Sequence, residues 1–183
     1  MTGKMNAIEV VAELMALCAL TAPKARGSDP QAVRTMTGAD LERLAEEMRR
    51  LKEAYGLGFF VRDAGCVEQS DACLLIGARG ESVAGLDCGG CGCARCEEML
   101  EAQRRISDGE MPFCGPDCVI RMADLGIALG SAVKTASIHN VDNRIMYTAR
   151  VGALSLGWME GCNVAYGIPL RASCKNIYFD RTG

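Results

Sequence analysis

Residues 71–77 read Asp71-Ala72-Cys73-Leu74-Leu75-Ile76-Gly77, and this stretch decides the fold. It is apolar without interruption between Asp71 and Gly77 and shows no alternation with polar residues, the pattern of a strand buried on both faces. Such a strand needs helices above and below it, and the flanking sequence supplies them. Upstream, residues 5–20 place Ile8, Val11, Met15 and Cys18 on one helical face. TAPKARGSDP follows as a loop punctuated by Pro23, Gly27 and Pro30. Thr37-Gly38-Ala39-Asp40 has the form of a capping box with Asp in the Glu position. It opens a helix to about Tyr55 with a buried stripe of Leu41, Leu44, Ala45, Met48 and Leu51, stopped by Gly56 and Gly58. Phe59-Phe60-Val61 reads as a short strand, and residues 82–86 as a hairpin partner or the next strand.

Downstream, Glu97 to about Ser107 reads as a helix. Asp117 is expected to cap a longer one, Cys118 to about Ser137, whose Ile120, Leu125, Ile127, Ala128, Ala132 and Val133 line several sides, as in a helix buried nearly all round. His139-Asn140-Val141 is a connector, Asp142 caps a helix to Leu156, and Gly157 ends it. Asn163–Ile168 is a last core strand that Pro169 stops, with an edge strand expected around Ile177–Phe179. The sum is a single α+β domain over residues 1–183, a sandwich of helices around a mixed sheet, with a cysteine-rich insert at residues 86–118.

With 183 residues, 49% hydrophobic, and a net charge of −3, the chain has the balance of a soluble globular domain and no basic face for nucleic acid or an acidic membrane. No apolar run reaches the length of a membrane span, and Glu9 and Glu13 interrupt the apolar N-terminus, so the expected location is the cytoplasm. Eleven cysteines in a reducing compartment are not expected to be disulfides. Cys18, Cys66, Cys73, Cys162 and Cys174 stand apart and read as small buried hydrophobes. The other six lie between residues 88 and 118.

Residues 88–96 read CGGCGCARC. The C-x2-C-x4-C spacing of Cys88, Cys91 and Cys96 lets one tight loop aim three thiolates at a single centre. The interleaved glycines let the backbone turn sharply and direct amide hydrogens at the sulfurs. The helix starting near Cys96 adds its positive end, and these effects together lower thiolate pKa values. A fourth thiolate can come from Cys114 or Cys118 in MPFCGPDCV, or from the leftover Cys93. Four cysteinates on a glycine-rich loop suit a [4Fe–4S] cluster. Structural zinc is the rival, although zinc sites favour paired C-x2-C knuckles and the second pair here, Cys114 and Cys118, is C-x3-C. Redox-active or structural thiols are the remaining reading.

GLDCGGCGCARCEEM resembles the CGxCGxxxC four-iron motif found in the B subunits of ion-pumping electron-transport complexes and in the corrinoid iron–sulfur protein, which implies that Cys88, Cys91 and Cys96 are ligands. A wider set, TAPKARG, RDAGCVEQSDACLLIG, LDCGGCGCARCEE, GPDCVIRMADLGIALGSAVKTASIHNVDNRIMYTA and GIPLRASCKNIYFDR, resembles an uncharacterised prokaryotic family of small ferredoxin-domain proteins. The recurrence of a GPxC cysteine in that family implies Cys118 as the fourth ligand. The same chain plan also resembles nitroreductases, α+β dimers that hold FMN at the subunit interface. The Arg-x-Ser-x-Arg stretch that grips the FMN phosphate there is absent from residues 1–20.

Among other residues, Lys24 and Arg26 in TAPKARG are candidates to grip a phosphate or another anion, or else face solvent. Arg62-Asp63 and Asp71 read as ion pairs or turn caps, and His139, the one histidine, as a structural connector within a polar cluster that includes Arg144. Lys134 either snorkels to the surface or faces a site. Lys175-Asn176 and Asp180-Arg181 read as a solvated tail or a dimer contact. The functional expectation is a ferredoxin-like electron-transfer protein with a redox partner protein. The alternatives are an FMN-dependent nitroreductase-like oxidoreductase, possible as a homodimer, and a structural zinc module that binds a partner.

Overall fold

A computed structural model describes residues 6–28, 31–106 and 115–179. In chain order the elements are α1 (Ala7–Thr21), a 3₁₀ turn (Ala25–Gly27), β1 (Gln31–Met36), α2 (Ala39–Tyr55), α3 (Phe59–Glu68), β2 (Ala72–Arg79), α4 (Cys96–Ile106), α5 (Val119–Ile138), β3 (Asp142–Asn143), α6 (Tyr147–Ser155) and β4 (Cys162–Arg171). The strands form one sheet in the order β1-β2-β4-β3, and every pairing is antiparallel, where the sequence pattern suggests a mixed sheet. β2 lies inside, with Leu75 opposite Arg34 of β1 and Gly167 of β4.

The apolar run has the two faces expected of it. Ala72, Leu74, Ile76 and Ala78 enter one core with α1 and α5. Cys73 and Leu75 enter a second core with α2, α3 and α6. The result is an α+β sandwich of three layers, helices on both faces of the sheet, because each face of β2 must be covered. α6 lies especially close to the sheet. A Cβ built on Gly167 would stand 2.4 Å from the Ala149 Cβ, and one on Gly152 would stand 2.9 Å from Leu44 Cδ1 of α2. Among the described residues no helix is long and apolar enough to cross a membrane.

Several local expectations are corrected. Phe59–Val61 starts α3, not a strand, since Phe60, Ala64 and Val67 are buried at helical spacing. β1 over residues 31–36 carries no strong alternation and was not expected. Residues 82–86 form no strand, and neither do residues 177–179; the buried Tyr178 there shares a hydrogen bond of 2.8 Å with Ser70. α2 begins at Gly38, which has no side chain to cap with, and the Asp40 carboxylate pairs instead with Arg34 (3.4 Å) and Arg43 (3.7 Å). Asp142 belongs to β3, and α6 starts from Met146. α5 is buried on one side only: Leu125, Ala128, Ala132 and Ala136 face the core while Val119, Ile127 and Ile138 are exposed. Pro169 does not end β4. Gly167 exchanges both backbone bonds with Met146, so the two-residue alternation turns the Pro169 nitrogen to that same side, where β3 has already stopped at Asn143.

Candidate functional site

The cysteine segment leaves β2 and returns to the start of α5, and a buried ion pair on α5 anchors its first residues. Arg121 and Asp124 are 4% and 3% exposed. Arg121 Nη1 donates to Asp124 Oδ2 (2.9 Å) and to the Ala25 carbonyl (3.1 Å). Its Nη2 donates to Ser28 Oγ (2.6 Å) and to the Val83 carbonyl (3.2 Å). The Ala25 N–H donates to Asp124 Oδ1 at 2.9 Å. One guanidinium thus ties the TAPKARG turn and the segment after β2 to the same helix. Sequence reading did not single these two residues out. Their signal is an Arg and an Asp at i, i+3 on the core-facing stripe of an otherwise apolar helix.

Lys24 and Arg26, the candidates for an anion grip, are directed at backbone carbonyls. Lys24 Nζ donates to Ala19, Leu20 and Ala22 at 3.0, 2.7 and 3.1 Å, closing the C-terminal end of α1. Arg26, in a left-handed conformation with φ 60°, donates through Nη1 to the Ala84 carbonyl at 3.2 Å.

The loop itself turns at Gly89 and Gly92, both with positive φ, and the Gly92 N–H donates to the Gly89 carbonyl at 3.0 Å. Gly90 lies against α5: a Cβ there would stand 2.6 Å from Val119 Cγ1 and 3.6 Å from the Cys88 Sγ. That contact seats the loop beside Cys118, the N-cap residue of α5. Cys118 is 6% exposed and shares a small apolar cluster with Ala84 and Met99, against which Val83, Cys91, Cys93, Leu100 and Ile120 pack. Burial, and then the neighbouring Cys91, push the Cys93 thiol up from its ordinary value. Cys96 starts α4. Its N–H donates to Asp87 Oδ1 at 2.7 Å, and this bond together with one from the Cys96 side chain holds the Asp87 carboxyl below the usual range. Cys88 is exposed.

The structure therefore brings Cys91, Cys93 and Cys118 into one cluster and sets the Cys88 sulfur over Gly90 next to it, while Cys96 is turned to Asp87. Among the described residues no three His, Cys, Asp or Glu side chains converge closely enough to hold a metal ion. Cys114, the other candidate for fourth ligand, and Asp180-Arg181 lie outside the described residues. The donor chemistry nonetheless fits a thiolate-bound centre. Cys88, Cys91 and Cys96 lie on one loop seated beside Cys118, and Cys96 and Cys118 stand at helix N-termini.

Two concavities share Ile145, and the first of them begins at Asp117, next to Cys118. The first, of about 520 Å³, runs along α5 and β4 between Asp117, Met122, Gly126, Leu129, Val164 and Tyr166. Asp117 does not cap α5. Its Oδ1 accepts from Gln103 Nε2 (3.2 Å) and Asn163 Nδ2 (3.4 Å), and burial raises its pKa against the lowering effect of those bonds and of Arg150. The second, of about 340 Å³, is lined by Phe59, Arg62, Asp63, Arg144, Met146 and Tyr147. Asp63 accepts there from Arg62 Nε and Thr148 Oγ1, both at 2.8 Å, as the ion-pair reading of Arg62-Asp63 expects. Asp71 likewise pairs with Arg171 at 2.9 Å. His139 and Lys134 are exposed, and Asn176 donates to Asp142 at 3.0 Å.

Comparison with known proteins bears on the family and on the fold. Residues 114–181, from just before Cys118 through α5, α6 and β4, match the family described as uncharacterized proteins containing a ferredoxin domain (DUF2148). An uncharacterized protein of Archaeoglobus fulgidus is 42% identical over 178 residues, covering 97% of this chain and 94% of that one. Among solved structures, the nitroreductase CinD of Lactococcus lactis in complex with nicotinic acid superposes with a TM-score of 0.59 at 12% identity over 94% of this chain and 82% of that one. A putative nitroreductase in complex with FMN from Desulfovibrio desulfuricans gives 0.57 at 11% identity over 100% and 83%. Nitroreductase A of Vibrio parahaemolyticus gives 0.54 at 13% identity over 96% of this chain, which spans only 62% of that protein's length. At these identities the likeness to nitroreductases is one of fold.

Proposed function

The chain belongs to the family of proteins containing a ferredoxin domain, and from that premise we propose that it is an electron-transfer protein whose centre is a [4Fe–4S] cluster held by Cys88, Cys91, Cys96 and Cys118. The observation that carries this reading is the seating of Gly90 on Val119, which lays the C-x2-C-x4-C loop against Cys118 at the head of α5. A cluster of this type, when bound, exchanges single electrons at a potential set by its surroundings. The chain's part is to present the thiolates, to aim backbone amides and two helix N-termini at them, and to shield one side with Met99, Val83 and Ile120. Cys96 must exchange its bond to Asp87 for the centre.

Anaerobically purified protein should contain about four irons and four sulfides per chain and absorb broadly in the visible. Cys96→Ser and Cys118→Ser should lose iron, and Cys93→Ser should keep it. One zinc without iron would replace this reading by a structural zinc module that docks a partner. Equal iron loss in Cys93→Ser and Cys96→Ser would overturn the ligand assignment.

A second reading, a flavin-dependent oxidoreductase, has the nitroreductase fold and the arginine-lined concavity at Arg62 and Arg144 in its favour. A structured yellow spectrum with about one FMN per chain would establish it. The exposed apolar residues Val10, Leu14 and Leu17 of α1 support a homodimer, the redox partner is a second protein, and the cytoplasm is the expected compartment.

A further inference from the structure

The cleft between α5 and β4 has a composition that its surroundings do not require. Met122 and Leu129 form one wall, Val164 and Tyr166 the other, and Ile145 closes one side. From Asp117 to Leu129 the wall runs roughly 18 Å at helical rise, longer than a fused two-ring molecule. At about 520 Å³ the space is the size of a small-molecule site. Gly126 borders it, and a Cβ built there would meet nothing within 4 Å, so a larger side chain has room to enter.

Asp117 is the one charged residue lining this trough, with Tyr166 the other polar one, and its carboxylate is held in place. Gln103, 5% exposed, donates to Asp117 Oδ1 and to the Pro116 carbonyl (2.9 Å), and Asn163 donates to the same Oδ1. Asp117 Oδ2 has no hydrogen-bond partner among the described residues. A fixed carboxylate with one free oxygen at the end of an apolar trough selects a ligand that is mostly apolar and brings its own donor. It also disfavours an anion.

We propose that this cleft binds an uncharged aromatic molecule of about two rings, whose O–H or N–H donates to Asp117 Oδ2 while its rings lie between α5 and β4. The site is a binding site for a small organic molecule that begins one residue before Cys118, and none of the proposed cluster ligands lines it.

Calorimetric titration of the full chain, as purified, with 2-naphthol and with 2-methoxynaphthalene tests the proposal. The two probes share a shape, and only the first carries a donor. 2-Naphthol should bind saturably, at least about tenfold tighter than the ether, the scale of one hydrogen bond to a charged acceptor. Gly126→Phe, which fills open space without disturbing the fold, should abolish saturable binding. Asp117→Asn keeps an oxygen for Gln103 and Asn163 and places an amino group at the free position, so the two probes should then bind within about twofold of each other. The proposal is overturned if the unmodified chain shows no saturable binding, if Gly126→Phe binds 2-naphthol as well as the unmodified chain, or if Asp117→Asn preserves the tenfold preference. None of these readouts depends on iron content, so failure here is separate from failure of the electron-transfer reading.

Discussion

β2 and the segment it runs into are held in opposite ways. From Ala72 to Ala78 no side chain is more than 1% exposed, and successive residues fill two different cores. From Gly80 to Arg95 the backbone is irregular, several residues have positive φ, and Cys88 is exposed. Its attachments are mostly polar and specific: Arg121 to Val83, Arg26 to Ala84, Asp87 to Cys96, and the close contact of Gly90 with Val119. The first region is stable because it is buried. The second gains little from burial and is tethered beside the head of α5, which is the construction expected of a segment that a bound centre completes.

The sharpest way to break this contrast is to weaken each region separately. Leu75→Ala removes a fully buried side chain at the middle of β2 and should cost about 4 kcal/mol in denaturant unfolding. Iron per folded molecule should not change. Arg121→Met should cost about 3 kcal/mol, because it leaves Asp124 buried beside a lost partner. It should also lower iron loading, since the tether to Val83 and the TAPKARG turn goes with it. Arg121→Met with Asp124→Leu should recover most of the stability and none of the iron. If Leu75→Ala depletes iron as Arg121→Met does, the two regions are one unit and the contrast fails.

A smaller effect sharpens it from the other side. Gly90→Val puts a side chain where Val119 stands, but the loop is exposed and can shift away. The expected loss is about 1 kcal/mol, together with a clear fall in iron content, because the shift carries Cys88 and Cys91 away from Cys118. A Gly90→Val protein with full iron would mean that the loop does not need its seat on α5.

The same contrast governs what the sequence could tell. Burial leaves a periodic trace, so β2, the stripe of α2 and the left-handed stop at Gly56 were legible, and so was the helix-on-both-faces architecture. Where two principles competed, the local one lost. Phe59-Phe60-Val61 has strand propensity but extends into a helical stripe, and Pro169 ends strands in general but here faces a gap in the sheet. Thr37 and Asp117 had the right chemistry for caps and found tertiary partners instead, or none. At the candidate site, spacing marked Cys88, Cys91 and Cys96 as candidates, and the family resemblance added Cys118. The Arg121–Asp124 tether was not legible, because its partners at Ala25, Ser28 and Val83 are far away in the chain, and no local pattern records them.

Cys73 gives the last test, and it concerns a thiol on the buried side of the contrast. In the core, burial pushes the Cys73 thiol from 9.0 up to about 12, opposed only by the weak donation of the Ile168 N–H. The folded state therefore keeps this proton while the unfolded chain releases it above pH 9. Stability from the neutral thiol is fully present below about pH 9 and falls as pH rises toward 12, at up to about 1.4 kcal/mol per pH unit. Cys66, Cys162 and Tyr178 are also pushed up by burial and add the same sign to both proteins in a comparison. Cys73→Ala removes only its own share. Between pH 9 and 10.5 the unmodified protein should lose about 1–2 kcal/mol more than the variant, measured as the pH dependence of urea unfolding. Parallel slopes for the two proteins would show that Cys73 reaches solvent and that the middle of β2 is less closed than its burial implies.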